Sequence, residues 1–519
     1  MISQKHTLIH HFLEQSAQTC PDKVAIIQDD VRASYTKINS EANQIAHWLI
    51  SQGIKTGDRV VLILENNPEY VVSYYGVLKA GAVAVSLNND IKPEGLKHVL
   101  REIKPRIIIS SSKFKRLLHT VSLPAFDVQA VVLSRRNFNW FSTFPPVFQL
   151  EEELRDKRPS NLNISVAQSA LSSIVYTSGS TGKPRGIMLS HRNIVSNTHS
   201  IIQALHLTEK DIQMVVLPFS YVMGKSLLNT HFAVGGTVII NNKFAFSGSM
   251  IKQMSEEGVT GFSGVPSTYA YLLHRSPLAS YQDRLGSLRY CSQAGGHMSR
   301  HVKEKLRRVL PKHTHIYIMY GTTEASARLT CLDPSQFINN LDSVGKPIPD
   351  VKMFVMDKAG HGVAPGEIGE IVATGPNIMM GYWNDEEATK SVMDQAGYHT
   401  GDLGYRDSEG YYFIVGRKDN QVKIGGHRIN TQEIEKVLIE LEQVTEAAVL
   451  GIPDELLGQK LIAVIAPENT DCDEKMILNL CAMKLPRYKI PARIKLVRTL
   501  PKTSSGKVDK AKCLDLAKL

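Results

Sequence analysis

The sequence predicts an α/β protein with a large N-terminal domain of layered α/β subdomains plus a small barrel, followed by a small α+β C-terminal domain. Three observations lead to this prediction. The chain has 519 residues, 43% of them hydrophobic, which is too long for one compact core and implies at least two domains. Apolar, β-rich runs alternate with helical patterns through most of the chain. The composition then changes near residue 340 and again near residue 418.

The alternation of strand and helix patterns is clearest in the first half of the chain. Such alternation predicts α/β layers with largely parallel sheets. The segment AGAVAVSL at 80–87 is too short to span a bilayer and is interpreted as a buried strand. A helix is predicted over 68–78, and the predicted strands are RVVLIL (59–64), VAVSL (83–87), RIIIS (106–110), AVVLS (130–134), MVVLP (214–218) and TVIIN (237–241).

Two changes of composition divide the rest of the chain. Between 340 and 415, glycine and proline become frequent and short runs such as VKMFVMD and EIGEIVATG dominate, as expected of a small barrel or sheet subdomain. The charged stretch GRKDNQ (416–421) then precedes a last block whose pattern is helix, strand, strand, helix and terminal loop. This block is typical of a separate α+β domain. We therefore predict an N-terminal domain over 1–417 and a C-terminal domain over 418–519.

Composition and charge exclude several classes of protein. Six scattered cysteines lack CxxC pairing and metal-ligand spacing, so neither a disulfide framework nor a zinc site is expected, and His10 and His11 are expected to be solvated. The first residues lack the apolar core of a secretory signal, and no run approaches the roughly 18 apolar residues of a membrane span, so a cytoplasmic location is expected. The net charge of +10 comes from dispersed basic residues without a nucleic-acid-binding module, which favours nucleotide or phosphate-rich ligands over nucleic acid.

The strongest local motif is YTSGSTGKPRG, from Tyr176 to Gly186, which follows the apolar pattern SSIVY. Glycines let backbone N–H groups approach an anion, and the hydroxyl and cationic side chains add donors and charge, a combination suited to a triphosphate. Pro184 follows the lysine, so this is not the P-loop of kinases and simple NTPases. The loop residues predicted to bind the nucleotide are Thr177, Ser178, Gly179, Ser180, Thr181, Gly182 and Lys183.

This segment resembles the phosphate loop of the adenylate-forming superfamily, which comprises acyl-CoA synthetases, luciferases and the adenylation domains of peptide synthetases. Five further motifs of that family occur in its order and at its spacing, so the resemblance covers nearly the whole chain. It implies an AMP-forming acid–thiol ligase that uses ATP, Mg²⁺ and CoA, or the phosphopantetheine of a carrier protein. The five motifs are YGTTE (320–324), YHTGDL (398–403), GRKD (416–419), KIGGHR (423–428) and PKTSSGK (501–507).

The resemblance assigns roles in the first reaction, in which a carboxylate displaces pyrophosphate from the α-phosphate of ATP. Such a step requires cations and donors at the reacting phosphate. Glu324 resembles the family's Mg²⁺ ligand, a hard oxygen donor, and Thr323 beside it is expected to donate to the α-phosphate. Lys507 resembles the lysine that lies across the incoming carboxylate and the α-phosphate, a position suited to a flexible point charge.

The remaining nucleotide contacts are also implied by the resemblance. Asp402 resembles the residue that accepts both ribose hydroxyls, and Arg417 resembles its companion on the ribose–phosphate side. The other residues expected to bind the cofactor are Gly295, Tyr320, Gly321, Thr322 and Lys423.

In the family, the C-terminal domain swings between two faces to serve the two reactions, so the resemblance implies a mobile C-terminal domain. Asp419 matches the hinge position. Lys423 and the neighbouring pair Gly425 and Gly426 resemble the elements offered in the thiol-transfer state. Paired glycines let a backbone approach a narrow pantetheine arm.

The segment PFSYVMG (218–224) aligns with the family's acyl-pocket motif. Tyr221 stands where many relatives carry histidine, and Val222 stands where amino-acid-activating members have an aspartate that pairs with the substrate ammonium. An unpaired ammonium there would be costly, which disfavours α-amino acids. Gly296 leaves room for a bulky or long acyl chain, and His297 replaces the usual proline. A fatty or other non-amino acid is therefore expected.

The sequence leaves alternatives for the acceptor. The leading hypothesis is an acyl-CoA ligase whose reactants are a small-molecule carboxylic acid and CoA. The chain ends twelve residues after Lys507, so any acidic carrier protein is expected to act in trans, and this acyl-[carrier protein] ligase is the closest alternative. A non-catalytic scaffold with the same fold is a third alternative, against which Lys507, Glu324 and Asp402 argue.

Overall fold

The protein is described by a computed structural model that covers residues 6–134, 146–178, 184–418, 421–424, 427–454, 458–468, 472–503 and 506–518. For seven of these positions only the backbone is described: 178, 421, 423, 427, 428, 458 and 518. In these ranges the chain forms two large sheets, three smaller sheets and the helices that cover them.

The first part of the chain alternates helices with strands, as its sequence pattern predicts. The helix α3 begins where Asn67 accepts the N–H of Tyr70 and Pro68 occupies the first turn, and α7 begins with a capping box formed by Ser190 and Asn193. The elements are α1 (His11–Thr19), β1 (Val24–Gln28), β2 (Val31–Ser34), α2 (Tyr35–Ser51), β3 (Arg59–Ile63), α3 (Pro68–Lys79), β4 (Val83–Ser86), α4 (Pro93–Ile103), β5 (Ile107–Ser111), α5 (Lys115–Val121), β6 (Ala130–Ser134), β7 (Val147–Gln149), α6 (Leu150–Leu154), β8 (Leu171–Ser178), β9 (Pro184–Ser190) and α7 (His191–Leu205).

The next part continues the alternation and ends in two short strands. Its elements are β10 (Ile212–Val215), α8 (Val222–Val234), β11 (Thr237–Ile240), α9 (Ser247–Glu256), β12 (Gly261–Gly264), α10 (Pro266–Arg275), β13 (Tyr290–Gln293), α11 (Arg300–Val309), β14 (His315–Tyr320), β15 (Thr330–Leu332) and β16 (Lys346–Pro347). Each of the six strands predicted from apolar runs overlaps a strand of the structure, and the helix predicted over 68–78 is α3.

The two large sheets are mostly parallel in their centres, as predicted. One has eight strands in the order β19-β9-β8-β4-β3-β5-β6-β7, where β19 is Gly381–Tyr382, and the other has nine in the order β16-β15-β14-β13-β12-β10-β11-β1-β2. The pairs from β8 to β7 and from β14 to β1 are parallel. The antiparallel pairs are β19–β9, β9–β8, β16–β15, β15–β14 and β1–β2. Helices between the sheets share one core, with Phe12, Trp48, Tyr74 and Phe232 fully buried.

The segment that follows forms an antiparallel sheet. Its elements, with β19 included, are β17 (Lys352–Met356), β18 (Gly369–Thr374), β19 (Gly381–Tyr382), α12 (Glu386–Val392), β20 (Met393–Asp394), β21 (Gly397–Arg406) and β22 (Tyr412–Arg417). The sheet order is β17-β18-β21-β20, and β22 pairs with the second half of β21. Within the described residues these pairings do not close a ring, so the expected small barrel is an open five-stranded sheet. The ten-residue strand β21 pairs with β18, β20 and β22. The short apolar runs in the sequence did not predict a strand of this length.

The C-terminal part is α+β, as predicted. Its elements are β23 (Gln421–Ile424), β24 (His427–Asn430), α13 (Thr431–Ile439), β25 (Val444–Asp454), β26 (Gly458–Pro467), α14 (Glu474–Lys484), β27 (Arg493–Leu496) and α15 (Lys510–Lys518). The expected terminal loop is wrong beyond residue 509, because α15 buries Cys513 and Ala517 against β25 and β26. These two residues are four apart and therefore share one helix face.

Two expectations concern the surface of the molecule. His10 was expected to be solvated, but it is buried at the start of α1 and packs edge-on to His191, and burial holds its pKa well below the usual range. Among the helices in the described ranges, none has the length and apolar character that crossing a membrane requires.

Candidate active site

The predicted site residues gather where parallel strands of the two large sheets end. The strand β8 ends at Ser178, β13 ends two residues before Gly295, and β14 ends at Tyr320. Ligands of open α/β sheets bind beyond the carboxyl ends of the strands, because the connecting loops there can point their groups at one space. The strand β21 adds Asp402 from the neighbouring sheet.

Asp402 is held between two of the predicted residues. The hydroxyl of Tyr320 donates a hydrogen bond of 2.5 Å to Oδ2, and Nε of Arg417 lies 3.3 Å from Oδ1. Arg417 is the residue directly opposite Asp402 in the pair formed by β21 and β22, so sheet register alone brings the two together. Burial raises the pKa of Asp402, and the charge of Arg417 and the hydrogen bond from Tyr320 oppose this rise.

The motif YGTTE forms a tight turn after β14. Residues Thr323–Ala325 make one 3₁₀ turn, and Thr322 precedes it in an extended conformation. A Cβ at Gly321 would lie 2.2 Å from the carbonyl oxygen of Ala327, so only glycine allows the turn to fold back this closely. The turn leaves Thr322, Thr323 and Glu324 partly exposed at the strand end.

Glu324 is oriented by residues that sequence reasoning missed. The hydroxyl of Tyr382 donates a hydrogen bond of 3.0 Å to Oε1 of Glu324, and the N–H of Met379 donates one of 2.7 Å to its carbonyl oxygen. Tyr382 belongs to β19, which pairs with β9 on the far side of the phosphate loop. In the sequence, the aromatic pair Tyr382 and Trp383 directly follows Gly381. No local pattern relates this pair to Glu324.

Lys507 reaches this group from the C-terminal domain. Its Cε lies 3.6 Å from the position that a Cβ would take on Gly295. A closed turn presents it: the N–H of Thr503 donates to the carbonyl oxygen of Lys507 at 2.7 Å, and that of Gly506 donates to Thr503 at 2.9 Å. The Lys507 side chain keeps contact with solvent although protein surrounds it, as expected in an open cleft.

The charged residues of the cleft act on one another. Burial lowers the pKa of Lys507, and the charge of Arg417 lowers it further. The carboxylates of Asp402 and Glu324 act in the opposite direction and favour the charged lysine. Four residues that the resemblance assigns from four separate motifs therefore share one electrostatic environment.

The strands on either side of the phosphate loop are paired. Thr177 in β8 lies opposite Arg185 in β9, and Tyr176 lies opposite Gly186. The Arg185 guanidinium lies 5.5 Å from the centre of the ring of Tyr382, whose hydroxyl donates to Glu324. Ser178 contributes only its backbone to the description, and Gly179, Ser180, Thr181, Gly182 and Lys183 lie outside the described residues.

The acyl-pocket motif forms the turn before α8. Tyr221 is the residue before the helix, Val222 is its first residue, and both are partly buried. A Cβ at Gly224 would lie 2.2 Å from the carbonyl oxygen of Pro218, so this turn also requires glycine. Val222 packs against the hydrophobic core that contains Val265, the residue that touches Gly295.

Gly296 follows β13 and faces the start of α10. It is exposed, and an added Cβ would lie 3.3 Å from Cγ of Pro266 at the start of α10. The predicted hinge Asp419 and the pair Gly425 and Gly426 lie outside the described residues. Lys423 lies in β23 opposite Arg428, and its side chain is not described.

The described residues fit ATP and Mg²⁺ on two observations. Gly295 has φ +86°, and any side chain there would fill the space in front of Lys507. Glu324 keeps a partly exposed carboxylate, a hard oxygen donor of the kind that Mg²⁺ prefers. Asp402 would hold the ribose and Glu324 the metal ion, which when bound neutralises phosphate charge.

Comparison with known families decides the class of protein. A model of the AMP-binding enzyme family matches residues 13–383, and a model of the AMP-binding enzyme C-terminal domain matches residues 433–507. The chain belongs to the AMP-binding enzyme family. The matched ranges include the phosphate loop, the motif YGTTE and Lys507.

Individual relatives of this family resemble the chain over almost its whole length. A long-chain-fatty-acid–CoA ligase of Bacillus subtilis (strain 168) is 29% identical over 98% of this chain and 94% of its own. The anthranilate CoA ligase AuaEII, solved with anthranoyl-AMP, has a TM-score of 0.90 and 25% identity over 98% of this chain and 97% of its own. The o-succinylbenzoate CoA synthetase of Bacillus subtilis, solved with ATP and magnesium, has a TM-score of 0.80 and 26% identity over 96% and 98%.

These relatives confirm the predicted class of activity for this AMP-binding enzyme. It is an AMP-forming acid–thiol ligase, which activates a carboxylic acid with ATP and Mg²⁺ and transfers the acyl group to CoA. The predicted fold class, with a large N-terminal and a smaller C-terminal domain, is also confirmed.

Proposed function

We propose that this enzyme forms the acyl-adenylate of a non-amino carboxylic acid with an apolar acyl group, with Lys507 as the residue that joins the two reactants. One observation carries the proposal. Lys507 comes from the C-terminal domain, yet its Cε lies 3.6 Å from the Cβ position of Gly295, within the electrostatic reach of Asp402 and Glu324. A lysine there can contact both a carboxylate and the α-phosphate.

The roles proposed for the nucleotide site follow from chemistry and neighbours. Glu324 holds Mg²⁺, with Tyr382 fixing its orientation, and Thr323 donates to the α-phosphate. Asp402 accepts from the ribose hydroxyls with Arg417 beside it. The loop residues 177–183, with Gly295, Tyr320, Gly321 and Thr322, cradle the phosphates and the base side of the nucleotide.

The acid is proposed to be fatty or otherwise apolar and to lack an α-amino group. Val222 begins α8 with an apolar side chain that packs on the same hydrophobic core as Val265, and Val265 lies beside Gly295. An ammonium beside these residues would be desolvated without a partner. Tyr221, which is partly buried, and the exposed Gly296 are also proposed to contact the acyl group.

The domain boundary and the part of the C-terminal domain used in the second reaction are also proposals. We place the boundary between residues 417 and 418, with Asp419 as the hinge and Lys423, Gly425 and Gly426 presented to the thiol in the second reaction. The end of β22 at Arg417 and the start of a new hairpin at β23 support this boundary.

A separate acidic carrier protein is a second candidate for the acceptor, and one observation favours it. No Asp or Glu occurs between residues 475 and 502, and this segment carries Lys475, Lys484, Arg487, Lys489, Arg493, Lys495, Arg498 and Lys502. Basic residues of this density would attract an acidic partner. Offering CoA and an acidic carrier protein to the preformed adenylate, and measuring which thiol becomes acylated, decides between them.

The experiment that tests the proposed function is pyrophosphate exchange with a panel of acids. Dodecanoate, benzoate, 2-succinylbenzoate and 2-aminododecanoate are offered with ATP and Mg²⁺. We expect exchange that depends on the acid and is fastest with an apolar member lacking an α-amino group. Exchange fastest with 2-aminododecanoate would contradict the proposal.

A further inference from the structure

The helix α10 contacts the C-terminal domain at both of its ends. At its first turn, Ser267 Oγ donates a hydrogen bond of 2.5 Å to the carbonyl oxygen of Gly506. At its last turn, His274 Nδ1 lies 3.0 Å from Oε1 of Glu468. The helix begins one residue after Val265, which lies against Gly295. Its first turn is therefore part of the structure that surrounds the site.

The contact at the first turn of α10 holds the backbone that leads into Lys507. Gly506 has φ +78°, and an added Cβ would lie 3.1 Å from Cγ2 of Val265 and 3.6 Å from Oγ of Ser267. The carbonyl of Gly506 belongs to the peptide that leads directly into Lys507. A hydrogen bond to this carbonyl therefore fixes the direction in which the lysine leaves the backbone.

The contact at the last turn joins the Glu468 carboxylate to a lysine and to the His274 imidazole, whose pKa is lowered by burial. Glu468 also lies 3.5 Å from Nζ of Lys305 in α11, so one carboxylate of the C-terminal domain meets two side chains of the N-terminal domain. Its backbone N–H donates to Gln443 at 2.8 Å, which ties Glu468 firmly to its own domain. All three side chains are partly buried, so this contact is less screened than a fully exposed ion pair.

We propose that Ser267 and Glu468 are positioning residues of the first half-reaction, which hold the C-terminal domain on α10 so that Lys507 stays at Gly295. The inference rests on the proposed function, in which the C-terminal domain must leave this position before thiol transfer. Neither residue touches the reacting atoms in this arrangement. Both contacts break when the domain turns away, so they stabilise one of two states and shift the population between them.

The test compares the two half-reactions in Ser267→Ala and Glu468→Gln. Single-turnover formation of the acyl-adenylate, with the best acid among dodecanoate, benzoate and 2-succinylbenzoate, is expected to slow about threefold to tenfold, the effect of one lost hydrogen bond. Thioester formation from preformed adenylate and CoA is expected to be unchanged or faster. Equal slowing of both steps, or of neither, would overturn the inference.

Matched controls separate positioning from general damage. Ser280→Ala removes a hydroxyl that donates to a carbonyl at 2.8 Å, and Glu94→Gln removes an ion pair of 2.8 Å, and neither lies on α10. Both should leave the ratio of the two rates unchanged. Ser267→Thr keeps a hydroxyl and should recover most of the adenylation rate.

A measurement that does not depend on enzyme activity tests this inference separately from the proposed function. Hydrogen–deuterium exchange of the amides in 501–508 is expected to be faster in Ser267→Ala and Glu468→Gln than in the two controls. If wild-type protein activates no acid of the panel, the proposed function fails, whereas faster exchange in the variants still supports the docking role. Unchanged exchange in both variants overturns the docking role whatever the activity.

Discussion

The phenolic oxygen of Tyr382 donates a hydrogen bond of 3.0 Å to Oε1 of Glu324. Tyr382 lies in β19, which pairs with β9, so this bond connects β9 through β19 to the carboxylate proposed to hold Mg²⁺. Hydrogen bonds to a metal-binding carboxylate fix its orientation, and losing one typically costs 10–100-fold in affinity or activity.

We therefore expect Tyr382→Phe to lower kcat/KM for ATP by about tenfold and to raise the Mg²⁺ concentration needed for half-maximal rate. Initial rates of pyrophosphate release measured across a Mg²⁺ titration test this. Tyr271→Phe removes a hydroxyl that donates to the carbonyl oxygen of Ala245 and serves as the control. A Tyr382→Phe variant with unchanged Mg²⁺ dependence would show that Tyr382 has no part in orienting Glu324.

The turn at Gly321 predicts a defect of stability. A Cβ there would approach the carbonyl oxygen of Ala327 to 2.2 Å, and an easy shift is prevented because the nearest atoms, in Ala327 and Arg328, all belong to the backbone. Gly321→Ala is expected to lower the free energy of unfolding by about 2 kcal/mol, as overpacking does elsewhere. Urea denaturation measures this, with Gly286→Ala as control, because a Cβ at Gly286 meets nothing within 4 Å. Equal stability of the two variants would be the contrary result.

Lys225 predicts a specific dependence of stability on pH. It is fully buried in α8, where Nζ lies 3.3 Å from Oγ of Ser86 and 5.0 Å from the Tyr74 ring centre, and burial lowers the pKa of Lys225 to about 7. Between that pKa and the ordinary value of 10.5, the unfolded chain holds a proton that the folded chain has released. The free energy of unfolding therefore rises with pH across this window and is lowest below it.

Replacing Lys225 by Met removes this titration. The Lys225→Met variant is expected to be more stable than wild type at about pH 7, with an advantage that shrinks as the pH approaches 10. Urea denaturation of both proteins at several pH values measures the difference, in which the contributions of other groups cancel. A difference that is independent of pH would mean that the lysine keeps its ordinary pKa in the folded protein.

The apolar residue at the start of α8 predicts the selectivity for acids. Val222→Asp introduces a buried carboxylate, which is costly unless the substrate supplies an ammonium. Relative to wild type, we expect activation of dodecanoate to fall about tenfold or more and the ratio of 2-aminododecanoate to dodecanoate to rise. Pyrophosphate exchange with the two acids tests this pair of changes. A loss that is equal for both acids would place Val222 outside the acyl pocket.

The parts of the fold that follow from local pattern were predictable. Apolar runs such as 59–64 and 130–134 are strands because their side chains are buried on both faces, and the strand–helix alternation makes the sheets parallel. The phosphate loop was identifiable from its own residues, whereas Glu324 and Asp402 were assigned through the ordered motifs of the family. Their meeting in one cleft with Lys507 came from the resemblance, since no local pattern relates residues so far apart.

What sequence reasoning missed depends on tertiary contacts. Tyr382 orients Glu324 only because β19 pairs with β9, and Ser267 meets Gly506 only because the domains dock. Where a barrel was expected the sheet is open, because among the described residues β17 at one end pairs with neither β20 nor β22, a property of tertiary pairing that local composition does not indicate. The terminal helix α15 was missed because it is short and only Cys513, Leu514 and Ala517 pack against the neighbouring core.

The most direct test of the central claim is the effect of Lys507→Ala on the two half-reactions. Lys507 is proposed to act on the carboxylate and the α-phosphate, so acid-dependent pyrophosphate exchange is expected to fall by about a hundredfold or more, while thioester formation from preformed adenylate and CoA stays close to wild type. Lys484→Ala, at an exposed position of the same domain, should change neither. Exchange by Lys507→Ala at a rate near that of wild type would contradict the account.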